Sequence, residues 1–226
     1  INISVPPAWP ECDFPIVLKP DDKSGSQGVK VIRSERELNA CFPRKEALDQ
    51  MVVQAYLEGP VYSLEVLGVP GHYCPLQVTE LDMDRDHDCK RVVAPAGLDS
   101  AQVVEFEQIA LRIAERLQLR GLMDVEAILH HGQWKTLEID ARIPSQTPTA
   151  VFHSTGINMV KLLGELFLTG ELNVGQVKPL QTTIYEHIKV KENHIEAMGE
   201  HIMTGAGPLR LHQGLFAAHE MISNLH

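Results

Sequence analysis

Residues 121–142, "GLMDVEAILHHGQWKTLEIDAR", constrain the fold more than any other part of the chain. Two apolar runs interleaved with acids, joined by a histidine–glycine turn, read as an antiparallel hairpin. With Gly132 in the left-handed position of a three-residue loop, 130–132, Asp124 falls opposite Glu138. Glu126 and Asp140 then share their face. Like charges facing each other destabilise a sheet unless a cation lies between them. A solvated strand face is the ordinary alternative, and Arg142 is a nearby counter-ion that cannot neutralise four acids. Oxygen-only donors from neighbouring strands suit Mg²⁺, which keeps several waters and completes its shell with substrate phosphates.

A phosphate partner should leave a second trace, and "KPDDKSGSQGV" (19–29) supplies one. The small residues Ser24, Gly25, Ser26, Gln27 and Gly28 allow a tight turn whose N–H groups can close over phosphate oxygens. Lys19, at a strand end, adds a point charge. A plain hairpin turn is the commoner explanation of such a loop, and it is not the GxxxxGK[ST] phosphate loop. Around it, "FPIVLK" and "VKVIRS" read as strands. Ser34 caps a short helix with Glu37 three residues on, a capping box, and "DQMVVQAYLEG" contains a further strand. Residues 1–57 therefore form a small α/β lobe.

Residues 58–226 form a larger lobe. Strands are predicted at 61–69 and 73–84, a polar loop at 85–100, and a helix over 101–118 capped by Asp99 or Ser100. After the acidic hairpin, Thr155 caps a helix that Gly170 ends, and the chain alternates again from residue 181. The class is α+β.

A formal net charge of -10 and a pI near 5.5 argue against nucleic acid and anionic membranes as partners. No apolar run reaches the ~18 residues of a membrane span, so the expected compartment is the cytoplasm. The four cysteines lack metal or redox spacing. The chain opens on Ile1 with a strand close behind, which leads us to expect an upstream segment.

The order of these parts resembles the ATP-grasp superfamily: a strand ending in Lys-Pro, a Gly/Ser loop, the hinge strand "VVQAYLEG", then an acid, a hairpin and E-x-[DN]-x-R. The resemblance implies two α+β lobes with the nucleotide cleft between them, ATP, and two Mg²⁺ ions. More closely, "YLEGPVYSLEVLG", "GLMDVEAIL", "EIDARIPSQTPT", "STGIN" and "IYEHI" are similar to the ligases of pyrrolysine biosynthesis. Those enzymes join 3-methyl-D-ornithine to the ε-amine of L-lysine with ATP.

Carried over by resemblance, Asp124, Glu138 and Asp140 hold Mg²⁺, with Glu138 bridging. Lys19 and residues 24–28 hold phosphates, and Gln54, Ala55, Tyr56 and Leu57 line the adenine site. The chain departs from the family at Gln54-Ala55, where many relatives carry Glu-Glu or Glu-Lys. It departs again at Pro60-Val61, where many place a ribose-binding acid, which leaves Glu58 as the replacement. The family's first ATP-contacting lysine and its N-terminal lobe would lie upstream.

The expected chemistry passes through an acyl phosphate, with Lys19 and Arg142 offsetting developing charge. For Arg142 the alternative is a structural ion pair with Asp140. Ser145, Gln146 and Thr147 are candidates for amino-acid carboxylate or ammonium groups, or else a turn that ends the sheet. Glu65, Asp88, Tyr185 and Glu186 are candidates for the amines of a dibasic substrate, and His187 for a base. Two rival readings remain: another ligase or carboxylase of this fold, resembling carbamoyl-phosphate synthase or biotin carboxylase, and a nucleotide-binding fragment without turnover.

Overall fold

The computed structural model describes residues 13–23, 26–43, 48, 50–83, 87, 89–191, 194–197, 210–213 and 218–225, with side chains through Glu186. Its contacts divide the chain into two units: Ile1–Glu58 with Arg85–Asp88, and Gly59–Asp84 with Cys89–His226.

The first unit holds strands β1 (Ile16–Pro20), β2 (Lys30–Ile32) and β3 (Met51–Ala55) and helix α1 (Glu35–Cys41), with antiparallel order β2-β1-β3. Ile16, Leu18, Ile32 and Leu38 bury together, with Met51 and Val53 packed on them. A strand's period of two then sends Val17, Lys19, Val31 and Gln54 to the other face. At the start of α1, Ser34 accepts the Glu37 N–H at 3.3 Å. The Glu37 carboxylate reaches past the cap to the Arg33 N–H at 2.7 Å, instead of closing the expected box on Ser34.

The second unit is built on one large sheet of β4 (Val61–Val69), β5 (His72–Pro75), β6 (Thr79–Met83), β7 (Cys89–Ala94), β8 (Gly121–His130), β9 (Gln133–Asp140), β10 (Thr182–Lys191), β11 (His194–Ala197), β12 (Arg210–Gln213) and β13 (Ala218–Leu225). The strand order is β12-β13-β10-β7-β6-β4-β8-β9, with β11 paired to β10 and β5 to β4. Helix α2 (Ser100–Leu117) starts at a complete capping box between Asp99 and Gln102. It covers one sheet face: Phe106, Ala110 and Ala114 pack on Tyr62, Leu64, Val66, Met123, Val125, Ala127 and Trp134. The Phe106 and Trp134 rings stack with centroids 4.5 Å apart, and Tyr62 meets Trp134 edge-on at 5.3 Å.

On the opposite face, helices α3 (Thr147–Thr155) and α4 (Met159–Thr169) supply Val151, Met159, Leu162 and Leu166 to a cluster with Leu67 and Leu122. Ala150 joins Leu81, Val92, Ala94 and Tyr185 in another. Between these clusters the same face of β4, β8 and β9 carries Ser63, Glu65, Asp124, Glu126, Glu138 and Asp140.

The structure corrects the sequence reading in several further places. The strand expected at 73–84 is two, because Val66 pairs with Pro75 but Ser63 with Thr79, which leaves an extra residue in the connection. The polar loop expected at 85–100 contains β7, whose Val92 and Ala94 are buried. Residues 147–155 are helix α3, with proline in its first turn, and Gly156 is its left-handed cap. Asn158, not Thr155, caps α4, its side chain accepting the Lys161 N–H at 3.0 Å.

The hairpin turn is also tighter than expected. His131 and Gly132 both have positive φ (49° and 74°), the signature of a two-residue loop whose twist suits the flanking strands. A bulge then shifts the register between Glu126 and Ala127, leaving Leu137 as the additional residue on β9. Asp124 therefore faces Asp140, and Glu126 faces Glu138; the expected Asp124–Glu138 pair does not form.

Candidate functional site

Two clusters of candidate residues emerge, one in each unit. In the first, Lys19 at the end of β1 shares its face with Val17, Val31 and Gln54. Ala55 pairs with Ile16 on the other face, so within the adenine-strand segment only alternate side chains lie with Lys19. Leu57 is half-buried and Glu58 exposed. The Tyr56 N–H donates to the Pro15 carbonyl at 3.1 Å, and the Arg33 guanidinium lies 5.7 Å from the Tyr56 ring centre.

An open pocket of about 500 Å³ lies here, lined by Ser26, Gly28, Val29, Val31, Arg33, Tyr56 and His87. Of the phosphate loop, Ser24 and Gly25 lie outside the described residues. Ser26, Gln27 and Gly28 form a turn closed by the Val29 N–H to Ser26 carbonyl bond at 3.2 Å. Gly28 has φ +78°, and a Cβ there would meet Pro20 Cγ at 2.9 Å, so a side chain would be strained twice over. The Ser26 hydroxyl donates to the His87 carbonyl at 2.6 Å, a tether across 61 positions of chain.

In the second unit the registers align six polar residues on one face. Ser63 and Glu65 on β4 face Glu126 and Asp124 on β8, which face Glu138 and Asp140 on β9. Burial grades across them: Glu65 and Asp124 are buried, Glu126 and Asp140 intermediate, and Glu138 exposed. The Ser63 hydroxyl donates to Asp124 Oδ1 at 2.6 Å, and the Thr147 hydroxyl donates to Glu65 Oε1. Among the described residues Glu65 Oε2 has no hydrogen-bond partner. Arg142 Nη2 contacts Asp140 Oδ2 at 2.6 Å.

These carboxylates disturb one another. Burial, followed by the charge of Asp124, pushes Glu65 from 4.5 to about 8, against the pull of its hydrogen bonds. Burial is also the largest influence raising Asp124 to about 6, with Asp140 and Glu138 adding to it while the Ser63 hydroxyl and Arg142 oppose it.

The sign for stability follows from these directions. Both acids bind their protons more tightly in the folded chain than in the unfolded one. Stability is therefore fully present below their ordinary values and declines as pH rises through about 6 and about 8. For the ligand-free protein without divalent cation, thermal unfolding from pH 5 to 8.5 should show a falling melting temperature. Glu65→Gln should flatten the upper part of that slope; an unchanged slope would remove Glu65 as its source.

Among the described residues, no group of three or more His, Cys, Asp or Glu side chains converges as a ready metal cage. The donor chemistry nevertheless fits a hard cation: opposed pairs of oxygen ligands, the inner acids raised first by burial and then by neighbouring carboxylates. Mg²⁺ asks for only one or two protein carboxylates when waters and phosphates complete its shell.

The remaining candidates separate. Ser145 is exposed, Gln146 is buried with Nε2 donating to the Cys89 carbonyl at 3.1 Å, and Thr147 begins α3 beneath Glu65. Tyr185 is buried on the face that carries Glu65. Glu186, one residue on, points to the opposite face and pairs with Arg91 at 3.3 Å, so it cannot join the same amine site. Asp88 and the His187 side chain lie outside the described residues. Sequence reasoning did not single out Ser63; its signal was the spacing of two from Glu65 on a single strand.

A family model described as an ATP-grasp domain matches residues 5–146. A 3-methyl-D-ornithine–L-lysine ligase of Methanosarcina acetivorans is 38% identical over 191 residues, covering 84% of this chain and 50% of the relative. The chain thus spans about half the length of that curated relative. Among solved structures, an L-amino acid ligase from Bacillus licheniformis has a TM-score of 0.75 at 19% identity, covering 96% of this chain and 60% of that one. The biotin carboxylase domain of Hydrogenobacter thermophilus 2-oxoglutarate carboxylase, solved with MgADP and bicarbonate, has a TM-score of 0.76 at 18% identity, covering 93% and 53%. At those identities the structures speak to the fold, and the fold is that of the ATP-grasp proteins. With the motif order, the hairpin of opposed acids and the matched domain in agreement, the chain belongs to the ATP-grasp family.

Proposed function

We propose that this chain is part of an ATP-dependent carboxylate–amine ligase that joins 3-methyl-D-ornithine to the ε-amine of L-lysine. The reading is carried by the opposed acids of β8 and β9, and the similarity to the Methanosarcina ligase supports it. Asp124, Glu138 and Asp140 are the ligands for two Mg²⁺ ions. Bound there, the metal would offset phosphate charge and orient the transferring group. Lys19 and residues 24–28 contact phosphates, Gln54 to Leu57 line the adenine, and Glu58 takes the ribose.

An unreactive carboxylate must first become a good acyl donor. Transfer of the γ-phosphoryl group of ATP makes it an acyl phosphate with release of ADP. Attack by the amine then expels phosphate and forms the amide, the amine giving up its proton. Lys19 and Arg142 stand against the negative charge of both displacements, and Ser145, Gln146, Thr147, Tyr185 and Glu65 serve the amino-acid substrates. The protein's contribution is positioning and a water-poor electrostatic environment. Among the described residues no helix is long and apolar enough to cross a membrane, as befits small polar substrates, and the cytoplasm is the proposed compartment.

The test uses the full-length protein with ATP, Mg²⁺, L-lysine and D-ornithine, read by product mass and ADP release. An ornithyl-lysine adduct formed with stoichiometric ADP is expected. ADP release that answers to bicarbonate, without adduct, would favour a carboxylase instead.

A further inference from the structure

We propose that the outer side of helix α4 is a docking face for the part of the polypeptide beyond these 226 residues, and that the element seated there is a helix crossing at Gly164. The inference goes beyond the ligase reading and needs none of its substrates. Met159, Leu162 and Leu166 form the buried stripe of α4. Val160, Gly164, Phe167 and Leu168 recur at i, i+4, i+7 and i+8, the spacing of a second stripe, yet Val160 is 60%, Phe167 67% and Leu168 87% exposed. Single exposed apolar side chains are ordinary on a protein surface, but a row at helical spacing is not. A helix apolar on two sides belongs in an interior.

The stripe is shaped to receive a backbone. Its flank is closed by Lys161 and Glu165, which pair with each other at 3.2 Å. Phe167 lies against the sheet, since a Cβ on Gly121 at the start of β8 would meet its ring at 3.3 Å. At Gly164 a Cβ would meet nothing within 4 Å, so no neighbour in this chain calls for glycine there. Glycine weakens a helix interior, and what it offers in return is a notch that another helix can enter closely. Size then selects the occupant. The 11 residues of α4 span about 16 Å, and exposed polar residues, Asn158, Thr169 and Glu171, bound them. A stable dimer asks for roughly 800 Å² and 20–30 residues from each partner, far more than one such stripe provides. A lobe on the same chain meets the face at a high effective concentration, so few contacts suffice. Such a lobe has a source, because this chain spans about half the length of the curated relative described above.

The experiment replaces Leu168 of the full-length protein by the photo-crosslinking residue p-benzoylphenylalanine, with exposed Glu105 of α2 replaced likewise as the control, and maps the linked peptides by mass. An intrachain link from position 168 to residues beyond this chain is expected, at about tenfold or more the yield from position 105, as befits a contact held at high effective concentration. A variant at the notch gives an independent reading. Gly164→Gln should lower the melting temperature of the full-length protein by about 3 °C or more, because the added side chain has no room beneath a crossing helix. On an uncovered helix the same change would raise it, since glutamine is the better helix former.

A link to a second copy, with doubled mass in sedimentation, overturns the proposal, as does a link confined to these 226 residues. A yield no greater than that from position 105 returns the face to solvent and overturns it as well. A melting temperature that holds or rises in Gly164→Gln overturns the crossing at that residue. None of these readouts involves turnover, so failure of the ligase reading leaves them unaffected.

Discussion

Glu138→Gln and Asp140→Asn should each lower ligation by about 10²–10³-fold at saturating Mg²⁺ while leaving the protein folded. Each removes one negative charge from a face that carries two opposed acid pairs, Asp124 with Asp140 and Glu126 with Glu138. The change is nearly isosteric, so packing is preserved. For Asp140 the folded state loses only the partly exposed pair with Arg142, an interaction worth about 0–1 kcal/mol. Folding gains from reduced repulsion between neighbours. A circular-dichroism melt run beside the product assay separates the two effects. Near-normal turnover by either variant would show that these acids do not hold the metal.

Phe106→Ala should destabilise the second unit by about 3–5 kcal/mol, the range for removing a fully buried aromatic ring. Phe106 has no exposed surface and stacks on Trp134, which in turn meets Tyr62. The truncation opens a cavity beneath β8 and β9, and the framework cannot collapse without disturbing both strands. Urea unfolding followed by Trp134 fluorescence would measure the loss. A cost below about 1 kcal/mol would mean that the α2 interface is looser than its packing implies.

Much of this architecture was legible in local chemistry. The α2 helix announces itself through apolar spacing and Asp99, and the first unit through short β-rich runs that flank a glycine loop. The face shared by the four acids was also legible, though by a different route from the one that operates. A three-residue loop and a two-residue loop followed by a bulge give the same side-chain parity, so the face agrees while the partners move by two positions.

Other features depended on contacts distant in sequence. β7 is short and charged at its start, and becomes a strand by lying between β6 and β10. α3 begins amid β-branched and proline residues that suggested a loop. Its first turn meets Glu65, which lies 82 positions away and has no local signature. Tyr185 and Glu186 looked alike as candidates until pairing with Val92 and Arg91 fixed which faced the acids.

Leu137 governs more than its own packing. Counting in twos from buried Trp134 would carry Glu138 and Asp140 under helix α2, into an aromatic environment hostile to charge; the surplus residue exchanges the sides before they are reached. Straightening the strand with that leucine in place would turn its last segment over, presenting Ile139 to the acid face and pressing two carboxylates against the hydrophobic layer, whereas excising the leucine would restore plain alternation and leave both acids on their present side. The hinge between structural and chemical halves of this strand is one amino acid wide, so its loss is tolerable where the gain of one further residue would exchange the sides.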